Sequence, residues 1–212
     1  MNDYLISSHP DEWQVWLFGA NPMHPLDHPQ AVLIWLGEAL ENGLWNHMCW
    51  RKGEKVYSAE PGGFLCLDAR PYMVYDGRIV AMTFAAPLTP DEDMSLTSFL
   101  TEPPPNGIAG VPYDWLLTGQ RGAAALLRLA AWLSGHPVLR WLGNALPVDV
   151  AGAHRVNCYE SIFRGLMALG WDANPATDGP RELWGLVNLR RLTVRGQVLN
   201  TTATGEGGNE RC

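Results

Sequence analysis

The sequence predicts one α/β domain, a mixed β-sheet flanked by helices. Three observations lead there. The chain has 212 residues, the length of a single domain. Hydrophobic residues make up 47% and ten are Trp, which is enough for a core of ordinary size. The hydrophobic period also switches along the chain from helical spacing to strand-like runs and back, the pattern of helices packed on a sheet.

Trp13, Trp16, Leu17 and Ala20 stand at i, i+3, i+4 and i+7, so residues 11–20 are expected to form a helix that starts after Pro10 and Asp11. A break, NPMHPLDHP, follows. Val32, Trp35, Leu36, Ala39 and Leu40 then repeat the spacing and predict a second helix ending near Gly43. HMCWRK, GGFLCLDAR and GRIVAMTF read as strands, with turns at Pro61-Gly62-Gly63 and Asp76-Gly77. The run from Ile79 to Phe84 is apolar on both faces apart from Thr83, as in a central strand.

Residues 87–110 are polar and proline-rich and predict a short helix, PDEDMSLTSFL, beside a long loop. Tyr113 to Leu117 predicts a strand. QRGAAALLRLAAWLSG predicts a helix apolar nearly all round, hence buried. VLRWLGNAL is a strand or a short helix. Tyr159, Ile162, Phe163, Leu166 and Leu169 form another helical stripe, stopped by Gly170. LWGLVNLRRLTV reads as one or two terminal strands. The expected division is one domain over residues 1–196 and a disordered tail over 197–212.

Net charge is −7, which argues against a general binder of nucleic acid or anionic membrane, either of which needs a basic face. No apolar run has the length of a membrane span, and the opening MNDYLISSHPDEW lacks the basic start and apolar centre of a signal peptide. A cytoplasmic protein is expected. Cys49, Cys66, Cys158 and Cys212 are scattered without a CxxC pair and read as reduced thiols. His9, His47, His136 and His154 lack metal-ligand spacing, and no metal site is predicted.

Three features point to chemistry. Gln120, Arg121 and Gly122 precede a run of alanines. A turn there, opening a small-residue helix, presents free backbone N–H groups to an anion. His24 sits in NPMHP, held on a proline-flanked bend. Asp114 lies in YDWLL. Taken singly, each has an ordinary reading: a helix start, a solvated loop histidine, a turn residue.

Together they resemble two related groups. Gln120, Arg121, Gly122 and Ala125 are similar to the pyrophosphate loop of the GNAT acyltransferase superfamily, although with a single glycine. WLFGANPMH, with Trp16, Leu17 and Phe18 ahead of His24, resembles the opening of the RTX toxin-activating lysine acyltransferases, themselves GNAT-like. That family has a WLW or WLF helix followed by Ser-Pro-Leu-His. Its later strand, Ile-Asp-Trp-Ile, is similar to Tyr113-Asp114-Trp115-Leu116, and GRIVAMTFAAPLT also resembles a family segment. The likeness spans roughly residues 11–150. Asn21 replaces the usual Ser, Pro25 follows the histidine, and the chain is acidic where members are often basic.

The resemblance implies a GNAT-like fold and transfer of an acyl group from a carrier thioester to a protein lysine. His24 would be general base or acyl-imidazole nucleophile, and Asp114 would orient the ring. Gln120, Arg121 and Gly122 would face the donor, acyl-ACP or acyl-CoA. Trp16, Phe18, Phe84 and Trp115 are candidates to line an acyl pocket. The implied partners are a protein substrate or target, an acyl carrier protein and a second copy of the chain. Two other readings stand beside this one. The first is a non-catalytic protein-binding inhibitor on the same fold, such as a plasmid fertility-inhibition factor or another mobile-element accessory protein. The second is a CoA-dependent N-acetyltransferase that uses the Arg121-Gly122 turn and does not need His24.

Overall fold

The computed structural model describes residues 11–20, 45–73, 77–146, 154–175 and 178–200. The helix expected over Val32 to Leu40 lies outside them. Six strands form one sheet: β1 (Gln14–Ala20), β2 (Trp45–Lys52), β3 (Lys55–Glu60), β4 (Gly63–Asp68), β5 (Gly77–Phe84) and β6 (Leu192–Asn200). Their spatial order is β4-β3-β2-β1-β5-β6. Six helices are described: α1 (Arg70–Met73), α2 (Pro90–Thr101), α3 (Trp115–Ser134), α4 (Pro137–Ala145), α5 (Cys158–Ala168) and α6 (Pro180–Asn188). No helix among the described residues is long and apolar enough to cross a membrane.

Residues 14–20 form a strand, not the expected helix. The helical spacing of Trp13, Trp16 and Leu17 coexists with Val15 and Phe18, so every position from 15 to 18 is apolar. A short continuous apolar run fits a helix or a doubly buried strand equally well. Place in the sheet decides between them. β1 pairs with β2 along one edge and β5 along the other, and a packed cluster covers each of its faces, so Val15, Trp16, Leu17 and Phe18 are all buried.

The sheet is antiparallel throughout, where a mixed one was expected. β2, β3 and β4 are joined by tight turns, which permit only antiparallel neighbours. Gly53 takes φ +62 in the first turn and Gly63 takes φ +113 at the end of the second. A Cβ on Gly63 would also lie 2.9 Å from the Val111 carbonyl oxygen, so the position needs glycine twice over. β6 returns beside the end of β5, with Phe84 opposite Leu192 and the Ala85 N–H donating to the Arg191 carbonyl at 2.9 Å. The expected terminal strands are therefore a helix, α6, and one strand. That strand runs to Asn200, so residues 197–200 belong to the sheet and not to a tail.

One face of the sheet carries the larger core. Trp13, Val15, Leu17, Met48, Trp50, Val80, Met82 and Phe84 alternate along their strands and meet Leu96 and Leu100 of α2, Ile162, Phe163 and Leu166 of α5 and Leu183 of α6. α5 lies close because residue 165 is glycine: a Cβ there would sit 2.8 Å from the Trp50 ring. Trp50 Nε1 donates to the Ser161 carbonyl at 3.1 Å, and Tyr159 Oη donates to the Trp45 carbonyl at 2.9 Å. Both helices are capped by boxes readable in the sequence, Thr89 with Glu92 on α2 and Asn157 with Glu160 on α5.

The opposite face holds Trp16, Phe18, Cys49, Val56, Ile79 and Ala81, against which Ala69 and Met73 pack. It also buries polar groups. Gln14, Arg51, Ser58 and Thr83 are all under 4% exposed. Gln14 accepts from Trp16 Nε1 at 2.8 Å, Thr83 Oγ1 donates to the Trp13 carbonyl at 3.1 Å, and the Arg51 guanidinium lies 5.8 Å from the Trp16 ring centroid.

Candidate functional site

Asp114 is placed by a short run of backbone pairing at the sheet margin. The Phe64 N–H donates to the Val111 carbonyl at 2.8 Å, and the Gly110 N–H donates to the Phe64 carbonyl at 2.9 Å. The Val156 N–H then donates to the Pro112 carbonyl at 3.0 Å, and the Asp114 N–H to the Val156 carbonyl at 2.9 Å. Tyr113 thus makes a single parallel bridge to Val156, and α3 begins at Trp115, where a strand over 113–117 was expected. The Asp114 side chain is buried, at the amino end of a 20-residue helix whose dipole favours a negative charge there. His24, its expected partner, lies outside the described residues.

Gln120, Arg121 and Gly122 do not form a turn. They lie in the second turn of α3, one helical turn past its start. Their N–H groups are directed back along the helix to carbonyls four residues earlier, so they do not present the open donors of a helix terminus. The strong helix formers Leu116, Leu117 and Gln120 extend the helix toward Asp114, and Gly119 and Gly122 do not stop it. Trp16 and Phe18 belong to one face of the sheet and Phe84 to the other, so these three aromatics do not line a common acyl pocket.

On the second face a polar cluster assembles that spacing alone did not reveal. His47 Nε2 lies 2.8 Å from Ser58 Oγ, Ser58 Oγ donates to Glu60 Oε1 at 2.7 Å, and Tyr72 Oη donates to the same oxygen at 2.5 Å. Because the serine proton goes to Glu60, Ser58 accepts from His47, so Nε2 carries a proton. Nε2 is also 3.5 Å from Glu60 Oε1, with the two side chains 23% and 26% exposed. Burial by itself would lower the His47 pKa, but hydrogen bonds with Cys158 and Glu60, and their charge, raise it to about 10. Burial would likewise raise Glu60, while its bonds with His47, Tyr72 and Ser58 bring it down to about 2. Burial, then the Glu60 charge, pushes the Tyr72 phenol up.

The arrangement is that of an ion pair. A general base must be neutral at working pH, and His47 is held protonated. Ser58 is fully buried and spends its proton on a carboxylate, so it is no nucleophile. The register made the pair legible: counting back from the Gly53-Glu54 turn, with Lys52 opposite Lys55, places His47 opposite Glu60 on one face.

The other notable feature is the hairpin α3–α4. The two helices pack closely where residue 143 is glycine; a Cβ there would lie 2.9 Å from the Ala124 carbonyl oxygen. The segment 137–145 is thus a helix, one of the two forms its sequence allows. α3 is not buried all round as expected. Trp132 is 73% and Leu133 70% exposed at its end, and on α4 Val138, Trp141 and Leu142 are exposed, Trp141 by 68%. Val138, Trp141 and Leu142 stand at i, i+3 and i+4, the stripe that an amphipathic helix ordinarily turns to its core; here it faces outward. The two tryptophans, with their neighbours, expose on the order of 500 Å² of apolar surface, near the upper end for a monomeric protein.

The fold and these features define an α/β domain with a six-stranded antiparallel sheet and a projecting helical hairpin. The chain matches no family model, no curated protein and no solved structure.

Proposed function

We propose that the protein is a non-catalytic protein-binding module, an accessory or inhibitory factor that engages its target through the α3–α4 hairpin. The outward apolar stripe of Val138, Trp141 and Leu142, beside exposed Trp132 and Leu133, carries this reading. Apolar surface of this size rimmed by polar groups is the ordinary mark of a docking site. The test is a photo-reactive amino acid at position 133, with position 70 on α1 as control, in cells that express the protein. Crosslinks to a defined partner from 133 but not from 70 are the expected result. Crosslinks from neither position, or equally from both, would dismiss the reading.

A second reading, lysine acyl transfer, is favoured by one observation. Asp114 is a buried carboxylate, which suits an orienting aspartate. Mass spectrometry of a candidate target incubated with acyl carrier protein thioester or acetyl-CoA decides it. Acylation that disappears in both His24→Ala and Asp114→Asn would establish the enzyme.

A further inference from the structure

We propose that the α3–α4 hairpin takes an acidic amphipathic helix of a partner protein; this rests on the hairpin being a docking surface and adds the chemistry of the occupant. Residues 115–146 contain Arg121, Arg128 and Arg140, and not one of the chain's 22 carboxylate residues. The whole chain carries a net charge of −7, so everything outside this segment is more acidic still. The hairpin is a local island of positive charge on an acidic body.

Charge and apolar surface coincide there. Arg140 is exposed on α4 between Val138 and Trp141, and half-buried Arg128 lies across from Gly143. An apolar stripe at i, i+3 and i+4 is matched by a helix with the same spacing of anchors. Arginines along it are matched by Asp or Glu on the flanks of that helix, in a water-excluded setting where they gain most.

The same charges weigh against two other occupants. An isologous dimer through this face would set each hairpin's arginines against their own copies, a like-charge contact with no carboxylate in either hairpin to relieve it. An anionic bilayer is a plane wider than the hairpin, and within a Debye length it also meets the acidic body. A partner helix covers only the hairpin, so it gains the local attraction without that repulsion.

The test is a displayed library of helical peptides with fixed Leu or Phe anchors at i, i+3, i+4 and i+7 and each polar position free to be Glu, Gln or Lys. It is selected on the full-length protein and counter-selected on Trp132→Ala/Trp141→Ala. Both positions are mostly exposed, and circular dichroism melts check that the variant folds. The expected outcome is enrichment of Glu over Lys, with selected peptides binding the wild type about 30-fold more tightly than Trp141→Ala, as loss of a central tryptophan anchor predicts. Arg140→Glu should weaken the same peptides about tenfold and reduce their salt dependence. Peptides that need Trp141 but show no charge preference, or prefer Lys, would leave the docking surface standing and overturn the acidic partner. No enrichment over the tryptophan variant overturns the proposal. So does tryptophan-dependent sedimentation with phosphatidylserine vesicles, or tryptophan-dependent dimerisation in analytical ultracentrifugation.

Discussion

Replacing His47 by Gln removes the charge together with the ring's contacts to Phe18 and Tyr72; only the charge makes the effect depend on pH. The glutamine amide still donates to Ser58 Oγ, so the chain through Ser58 to Glu60 survives in neutral form. What is lost with the charge is an interaction between groups 3.5 Å apart, about 5 kcal/mol at an effective dielectric of 20. The raised His47 pKa, to which Cys158 contributes as well as Glu60, agrees in direction. With both side chains about a quarter exposed, solvent screening and the cost of burying the charges halve that interaction to about 2–3 kcal/mol. The sign follows from linkage. A histidine whose folded pKa is raised contributes fully below pH 6.5, and the contribution fades as pH rises to about 10. Urea unfolding of wild type and His47→Gln at intervals from pH 6 to 10 should show a stability difference whose pH-dependent part, about 2–3 kcal/mol at pH 6, closes by about pH 10. A difference that is absent at pH 6, or constant across the range, would refute the ion pair.

Other consequences can be measured with the same protein. Gly165→Ala gains about 1 kcal/mol of helix propensity but drives a methyl into the pinned Trp50 ring. It should lower stability by a net 1–2 kcal/mol or so, read as a shifted urea midpoint. Asn157→Ala removes the α5 cap that accepts from the Glu160 N–H at 2.9 Å, at a cost of about 1 kcal/mol. Its thermal midpoint should fall by about 2–4 °C. Among the cysteines of the sheet and α5, iodoacetamide should modify the half-buried Cys66 of the native protein, while Cys49 and Cys158, both buried, react only after unfolding, as peptide mass mapping would show.

Much of the architecture was legible because period and punctuation agreed. β2, β4 and β5 fall where β-rich runs are bounded by turn residues, and α2 and α5 carry their capping boxes in plain sequence. β1 was misread because an all-apolar stretch satisfies both periods, and only its neighbours β2 and β5 decide between them. β3, KVYSAE, was passed over: its alternation is masked by Lys55 and Glu60 at its ends. The α3–α4 hairpin inverts the usual inference from apolarity to burial, since its stripe is exposed and has no cover among the described residues. Of the expected site, Asp114 emerges as a buried residue at the head of a helix, the donor loop becomes helix interior, and the pair of His47 and Glu60 appears only once the strand register is known.

β5 and β6 are hydrogen-bonded neighbours that meet at Phe84 and Leu192, yet every helix from α2 to α6 is strung between them. They form, in effect, a hairpin whose turn is half the protein. Closing so long a loop costs little more than closing a shorter one, about 0.6 kcal/mol for each doubling of length. Its ends are also tied by the Ala85 to Arg191 hydrogen bond. The length of chain between those two residues is therefore a weak constraint on the sheet, even though α2, α5 and α6 within it complete the core. The α3–α4 hairpin is the part of this excursion that can be lengthened, exchanged or re-charged at little cost to the strands beneath.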